Sequence, residues 1–484
     1  MALDIGTNSE PKKHLGQDYE QLKEQCLASS SLFEDEAFPA CQQSLGTDPK
    51  KLGPDTETAQ GIVWLRPSEI CTSPEFITKG ASRFDICQQG LGDCWFLCSI
   101  GSLTLSEEHL YQVVPKDQSF QEGYAGIFHY KFWQQGEWVD VVVDDKLPTK
   151  NGQLVFVCSS QSNEFWSPLL EKAYAKLKGS YEKLDGGVPI EALEDFTGGI
   201  CEIIFLNEAP SDLFKTVRRS VRAQSLLTCS SKGEGEQNTA DNVVTGHGYS
   251  ITGAEEVTYH GNKEQLIRVR NPWGNTEWTG AWSDSAPEWD EIDPAVKDAL
   301  LVQREDGEVW MPFSELIKNY SELQICNISS TSGSSQDGHQ WTLDQIEGTF
   351  ISGSSVEVFM DNPQFRFTLE VPDDDQDGVE DEPLCTVIVS LIMKLTEEQD
   401  VIVNDFDIYK AQWSSDIELE ELKCVSQSTA YKRESGISRR FRLPIGEYVM
   451  APNTPENGED AEFYLRVFSA RKSGVDDTAI TFDA

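Results

Sequence analysis

The residues with the clearest chemical potential are a thiol, an imidazole and two amides spread over 184 positions. Cys94 closes the stretch Gln88-Gln-Gly-Leu-Gly-Asp-Cys-Trp95 and opens the apolar run Cys94 to Leu105, which holds no proline. That run reads as a buried helix whose N-terminus lies at Asp93–Cys94. A thiol there meets aligned peptide dipoles and free N–H groups, which favour the nucleophilic thiolate. Gln88, six residues upstream, can donate its amide to an oxyanion together with the Cys94 backbone N–H. A base must come from elsewhere, and the chain has six histidines: His14, His109, His129, His247, His260 and His339. His247 stands between two glycines in GHGYSITG, an arrangement that lets a substrate approach the ring. Asn271 follows the strand-like IRVR and precedes Pro272-Trp273-Gly274. Its side-chain oxygen can accept from an imidazole N–H and fix the tautomer, with Trp273 shielding that bond from water. Taken singly, a cysteine is usually a small buried hydrophobe, a Gly-flanked histidine structural and Asn-Pro a turn. Taken together in this order, they describe a thiol nucleophile with its base and orienter.

The elements that must position these groups can be read along the chain. Asp18 caps a helix running to Leu27, and Phe165 to Lys178 is a second helix with Pro168 in its first turn. After Gly186–Gly187 the pattern turns strand-like at Val243 to Thr252 and Leu266 to Val269, amid turn-rich, Trp-punctuated text. A Ser/Gly segment beginning at Ser329 reads as a linker. Beyond it come short alternating runs at Trp341–Leu343, Phe365–Val371, Thr386–Met393, Phe406–Tyr409, Phe441–Leu443, Glu447–Met450 and Glu462–Phe468. Their spacing predicts an antiparallel sandwich.

Composition sets outer limits. The chain has 484 residues, with 39 Lys and Arg against 82 Asp and Glu, a net charge of −43. A hydrophobic fraction of 38% with 12 Trp and 23 Phe supplies real cores and excludes wholesale disorder. The acidity argues against nucleic acid as a partner, since phosphate binding needs clustered cations. It suits basic substrates, metal cations or plain solubility. The longest apolar stretch, Cys385 to Met393, is too short to span a bilayer. The N-terminus lacks the apolar core of a secretory signal. The 12 cysteines have no CxxC spacing, which fits a reduced, cytoplasmic setting.

The text QQGLGDCWFL, NEFWSPLLEKAYAKLKGSYEKLDGG, GHGYSITG, RNPWGNTEWTGAWSD and EDGEVWMPF resembles the calpains, calcium-dependent cysteine proteases. The likeness runs from Gly61 to Tyr320, and the later segment resembles the calpain sandwich domain. LGDCW also keeps the Gly, Cys and Trp of the papain pattern without its first Cys. The resemblance implies an α+β fold: a papain-like core of a helical and a β-rich lobe, then an antiparallel β-sandwich. Its boundaries would be an N-terminal anchor at 1–60, a Cys lobe at 61–187, a His/Asn lobe at 188–328, a linker at 329–340 and the sandwich at 341–484. It makes Cys94 the nucleophile, His247 the base, Asn271 the orienter, Gln88 the oxyanion donor and Trp273 the shield. It also implies two Ca²⁺ sites in the core. One would use Thr78 and Gly80 carbonyls with Asp85 and Glu164. The other would use Glu277, Asp284, the Arg304 carbonyl, Asp306 and Glu308. Oxygen donors of this kind are what calcium selects. Arg83 would bridge the lobes to an acid such as Glu308. Calcium would then act as a switch that aligns the lobes and performs no chemistry itself. The resemblance further implies protein substrates, phospholipid contact through the sandwich, and a monomer without the penta-EF-hand contact to a small subunit.

Val371 to Pro383 carries seven acids, and its Asp373, Asp375, Asp377 and Gly378 mimic the start of an EF-hand loop. Leu384 occupies the position that needs a bidentate Glu, and the flanks read as strands, so an EF-hand is rejected. The loop is either a solvated charge run or a contact for basic surface or calcium. Two rivals to the protease reading are a calcium-dependent binding module with a silent core and an acidic scaffold.

Overall fold

The computed structural model describes residues 7–47, 61–304, 306–328, 339–350, 365–369, 372, 384–393, 405–410, 431–433, 436–453 and 461–472. The chain forms two compact units, one of residues 1–198 with 205–325 and the other of residues 199–204 with 326–484. The fold is mixed α+β, and its second unit is an antiparallel sandwich.

In the first unit, helix α1 (Tyr19–Ser29) starts where Asp18 Oδ1 accepts from the Gln21 N–H at 3.0 Å. Helix α2 (Cys94–Leu103) is buried along its whole length apart from Cys94 at its tip, as its uninterrupted apolar text requires. Helix α3 (Trp166–Lys178) holds Pro168 in its first turn. Strands β1 (Ile127–Gln134) and β2 (Glu137–Asp144) form a hairpin beside these helices. The β-rich part contains β3 (Leu226–Ser231), β4 (Gly248–Tyr259), β5 (Asn262–Arg270), β6 (Glu308–Pro312) and β7 (Tyr320–Asn327). These run side by side in the order β6-β5-β4-β3-β7. Strand β4 begins five residues later than the alternation suggests, because the chain turns at Gly246 with φ +56°. That turn places His247 at the lip of the sheet. Ser250 Oγ on β4 donates to the Cys98 carbonyl on α2 at 2.7 Å, joining the sheet to the helix.

In the second unit the described strands are β8 (His339–Phe350), β9 (Phe365–Leu369), β10 (Leu384–Met393), β11 (Asp405–Lys410), β12 (Tyr431–Arg433), β13 (Gly436–Pro444), β14 (Gly446–Asn453) and β15 (Ala461–Lys472). They form sheets of order β8-β15-β10-β13-β12 and β9-β14-β11. All seven sequence runs fall on these strands over the residues described; residues 370 and 371 of the second run lie outside them. Strand β10 turns Val387, Val389 and Leu391 into the main core with Phe367, Phe441 and Tyr448. Its Ile388 packs the other way, against Ile200 and Phe468. Burial on both faces explains why this strand reads as a continuous apolar run. The acidic loop lies outside the described residues apart from Pro372, but both of its flanks are strands, as expected. Residues 329–338 of the linker also lie outside them.

Helix α3 carries two buried cations one turn apart. Lys172 Nζ donates to Asp144 Oδ1 at 2.6 Å and to the carbonyls of Asp144 and Lys146 at 3.0 and 2.6 Å. Lys176 Nζ donates to Asp35 Oδ2 and to the Val142 carbonyl, both at 2.6 Å. Removing one member of a fully buried pair leaves its partner's charge unpaired. Lys172→Met is therefore expected to cost roughly 3–5 kcal/mol, read from the urea unfolding midpoint. Lys116→Met, at the exposed pair Lys116–Glu107, is the control and should change stability by less than about 1 kcal/mol.

Candidate active site

The site forms where the start of α2 meets the start of β4. Cys94 is the first residue of α2, half-buried, with its side chain at the open end of the helix. On the neighbouring strand, Asn271 follows the end of β5 and is held by its backbone, whose N–H donates to the Gly307 carbonyl at 2.8 Å. The Asn271 carbonyl in turn accepts from the Gly274 N–H at 3.0 Å, closing the Asn-Pro-Trp-Gly turn. His247 lies between them, 2% exposed.

His247 Nε2 and Asn271 Oδ1 are 2.8 Å apart. An amide oxygen only accepts, so this contact places a proton on Nε2. The same oxygen also accepts from the Trp273 backbone N–H at 3.0 Å, and Asn271 Nδ2 donates to the Thr276 carbonyl at 3.1 Å. The amide therefore has one orientation that satisfies all its partners. The Trp273 ring lies 5.1 Å from the His247 ring, tilted by 56°. The Tyr249 ring stands edge-on to it at 5.1 Å. Aromatic walls on two sides limit water around the Nε2 bond.

The glycines beside His247 serve a different purpose from the one their spacing suggests. A Cβ on Gly248 would lie 3.1 Å from Cys98 Sγ and 3.4 Å from the Cys94 carbonyl. A Cβ on Gly246 would lie 2.9 Å from the Gly235 nitrogen. Both bare backbones face the protein's own chain, not a substrate path. Their absence of side chains brings β4 against the helix start, and so the imidazole beside the thiol.

The structure adds a residue that the sequence reading missed. Glu236 Oε1 lies 2.7 Å from His247 Nδ1. One ligand-capable atom each of Cys94, Glu236 and His247 lies within 4.8 Å of the other two. Glu236 belongs to a polar, Gly-bearing loop that folds back as a small hairpin. Its Gln237 carbonyl accepts from the Thr245 N–H at 2.9 Å, and Thr245 Oγ1 donates to the Gly235 carbonyl at 2.7 Å. An acid eleven residues before the histidine gives no periodic signal, so only the folded hairpin reveals it.

Gln88 is buried and near the helix start, with its backbone N–H donating to the Pro272 carbonyl at 2.9 Å. Its Nε2 donates to the Leu91 carbonyl at 2.8 Å, while Oε1 is buried without a hydrogen-bond partner. One of the two amide hydrogens thus remains for another acceptor.

The first acidic group lies in the helical part, with Asp85 and Glu164 close enough to interact. Glu164 accepts from the Thr78 N–H at 2.5 Å and from Ser159 Oγ at 2.7 Å. Asp85 accepts from the Ser82 N–H at 2.6 Å. Burial first, and the neighbouring Asp85 carboxylate next, push the Glu164 carboxyl up to about 7. Thr78 Oγ1 is buried without a hydrogen-bond partner. Lys79 and Gly80 have φ of +60° and +94°, which curls this loop.

The second group lies on the turn after Asn271 and on the loop before β6. Glu277 Oε1 accepts from the N–H groups of Asp306 and Gly307 at 2.9 and 2.8 Å. Asp284 Oδ2 accepts from the Arg304 N–H at 3.0 Å. Burial first, then repulsion from Asp284 and Asp306, pushes the Glu277 carboxyl up to about 7. Glu308 opens β6. Arg83 Nε and Nη2 donate to its two oxygens at 2.6 and 2.8 Å. This bidentate pair joins Arg83 to an acid, as expected.

Burial alone would discharge His247, but contact with Cys94 and Glu236 overrides it and pushes the imidazole up to about 9. The folded value lies above the unfolded one of about 6.5. The associated stabilisation is therefore complete below about pH 6.5 and is lost as pH rises through about 9. In the Cys94→Ala, Glu236→Gln double variant the His247 ring should titrate well below pH 9, as followed by its ring proton NMR shifts. An unchanged titration would contradict this electrostatic account.

Comparison with known proteins agrees with the site. The family model for calpain family cysteine proteases matches residues 33–327, and that for calpain large subunit domain III matches residues 339–468. Calpain-8 of Rattus norvegicus is 48% identical over 499 residues, covering 98% of this chain and 71% of the relative. Calpain-8 of Homo sapiens is 48% identical, covering 97% and 70%. The calpain-2 catalytic subunit of Bos taurus is 45% identical, again covering 97% and 70%. With a thiol, an imidazole and an amide assembled as described and likeness of this extent, the chain belongs to the calpain family of cysteine proteases and is a calcium-dependent cysteine endopeptidase.

Proposed function

We propose that Cys94, His247 and Asn271 form the catalytic triad, and that calcium bound in both lobes of the core sets their alignment. The observation that carries this reading is the 2.8 Å contact between His247 Nε2 and Asn271 Oδ1, with Cys94 beside the same ring. Because Asn271 holds Nε2, the other nitrogen, Nδ1, exchanges the proton with the thiol. The Cys94 thiolate attacks the scissile carbonyl carbon. The resulting oxyanion accepts hydrogen bonds from the Cys94 N–H at the helix start and from the remaining Gln88 amide hydrogen. His247 gives its Nδ1 proton to the leaving amine, and the C–N bond breaks to leave a thioester. Water then attacks the thioester while Nδ1 takes its proton, releasing the acid and restoring the thiol.

The two acidic groups suit a hard dication. Each combines buried or half-buried carboxylates with backbone oxygens, and burial, with repulsion between neighbouring acids, raises the carboxyl proton affinity that a cation would lower. Asp85 and Glu164, with the Thr78 and Gly80 carbonyls, would hold one ion. Glu277, Asp284, Asp306 and Glu308, with the Arg304 carbonyl, would hold the other. Bound calcium supplies charge compensation that fixes the loops bearing these acids. Glu277 lies on the turn that follows Asn271, so a fixed loop there keeps the orienting amide in place. A shift of about 1 Å in such a site can cost ~10²-fold in rate. All described cysteines are thiols, not disulfides, which supports a cytoplasmic setting.

The test is casein cleavage across a calcium titration. Cys94→Ala should abolish cleavage, and Asn271→Ala should lower turnover about 10²-fold. Asp85→Asn and Glu277→Gln should each raise the calcium needed for half-maximal rate. Full activity without calcium, or an unchanged calcium requirement in both carboxylate variants, refutes the alignment reading.

A further inference from the structure

We infer that Cys94, His247 and Glu236 form a three-ligand site for Zn²⁺, a metal that would occupy the nucleophile and its base together and so inhibit the enzyme. The donor set is thiolate, imidazole and carboxylate, each a donor zinc accepts, and three such ligands leave one coordination position for water. The three ligand atoms already lie within 4.8 Å of one another. A tetrahedral zinc with bonds of about 2.0–2.3 Å sets its ligand atoms roughly 3.3–3.7 Å apart. The 2.7 Å contact between Nδ1 and Glu236 must therefore open slightly, and the thiol must close in. Both are side-chain movements.

The surroundings favour a metal on this ring nitrogen. Metal-binding histidines usually donate their other N–H to a fixed acceptor, which sets the tautomer. Asn271 Oδ1 is that acceptor, at 2.8 Å, and is itself held in one orientation. The third ligand comes from a hairpin closed by Thr245, so it is positioned independently of the helix and sheet. Glu236 is exposed and Cys94 half-buried, so an ion can enter from solvent, whereas His247 forms the buried floor. Binding displaces the thiol proton and the proton between Nδ1 and Glu236 to buffer, and no electron is transferred. This site is distinct in chemistry from the all-oxygen groups of the core, which lack sulfur and nitrogen donors.

The experiment uses the calcium-saturated full chain, in which Cys94 and His247 are aligned, with Co²⁺ as a spectroscopic probe and Zn²⁺ as competitor. One equivalent of Co²⁺ should give a thiolate-to-cobalt absorption band that Zn²⁺ removes and that Cys94→Ala lacks. Glu236→Ala should weaken Zn²⁺ binding about tenfold or more. Saturating Zn²⁺ should also protect Cys94 of the unaltered chain from iodoacetamide, located by peptide mass, so the result does not depend on how any variant folds. In the calcium-activated enzyme, Zn²⁺ should stop casein cleavage and a chelator selective for zinc should restore it. A cobalt band that persists in Cys94→Ala, Zn²⁺ affinity within twofold of normal in Glu236→Ala, or unprotected Cys94 at saturating Zn²⁺ overturns the site. The absorption and protection readouts need no proteolysis, so they separate failure of this site from failure of the catalytic reading.

Discussion

The contact between His247 Nε2 and Asn271 Oδ1 determines which ring nitrogen faces the thiol. An acceptor that is itself pinned by Trp273 and Thr276 cannot rotate to suit the imidazole, so the imidazole must suit it. One nitrogen is thereby removed from the chemistry, and Nδ1 alone mediates between Cys94 and whatever else reaches the ring. Most of the β-rich lobe can be read as support for this constraint. Strand β5 delivers Asn271, strand β4 delivers His247, and the loop before β6 holds the Asn271 backbone through Gly307. The helix contributes only its first residue.

The same lobe shows how a strongly acidic chain uses a few of its charges. Most of the 82 acids keep the surface solvated. Among those buried or half-buried, two arrangements bear on the site. Glu308 is neutralised by Arg83, and Asp144 and Asp35 by the lysines of α3. Glu164 and Glu277 have backbone N–H donors and nearby acids but no comparable cation among the described residues, and burial raises their proton affinity. The first kind are complete as they stand, and the second kind are electrostatically unfinished. Glu277 lies on the turn that follows Asn271.

Much of this was legible before folding. Periodicity located α1, α2 and α3 within about two residues, and the Asp18 cap was visible as a residue type at the right offset. The seven runs of the sandwich matched strands because turn residues separate them. What escaped was whatever depends on where distant loops land. Glu236 has no spacing relation to Cys94 or Asn271, and its place comes from a hairpin closed by Thr245. Glu308 was readable as both a metal ligand and an arginine partner, and the fork of Arg83 on its two oxygens shows the second role. The glycines around His247 were recognisable as a demand for close approach, but sequence cannot say what approaches. Here it is the protein's own helix start and loop.

The strand order of the sandwich bears on how the chain is made. In the larger sheet, β8 comes first in sequence and β15 last, yet they are neighbours, and β15 also pairs with β10. As the chain emerges from the ribosome, β8 has no partner among the described strands until some 110 residues later. Strand β10, apolar on both faces, waits with one edge open for the same partner. Such long-range closure is slow and leaves unpaired edges exposed to other nascent chains. The sandwich therefore cannot mature progressively from its first strand. It closes late, when a single strand slides between two that have been waiting.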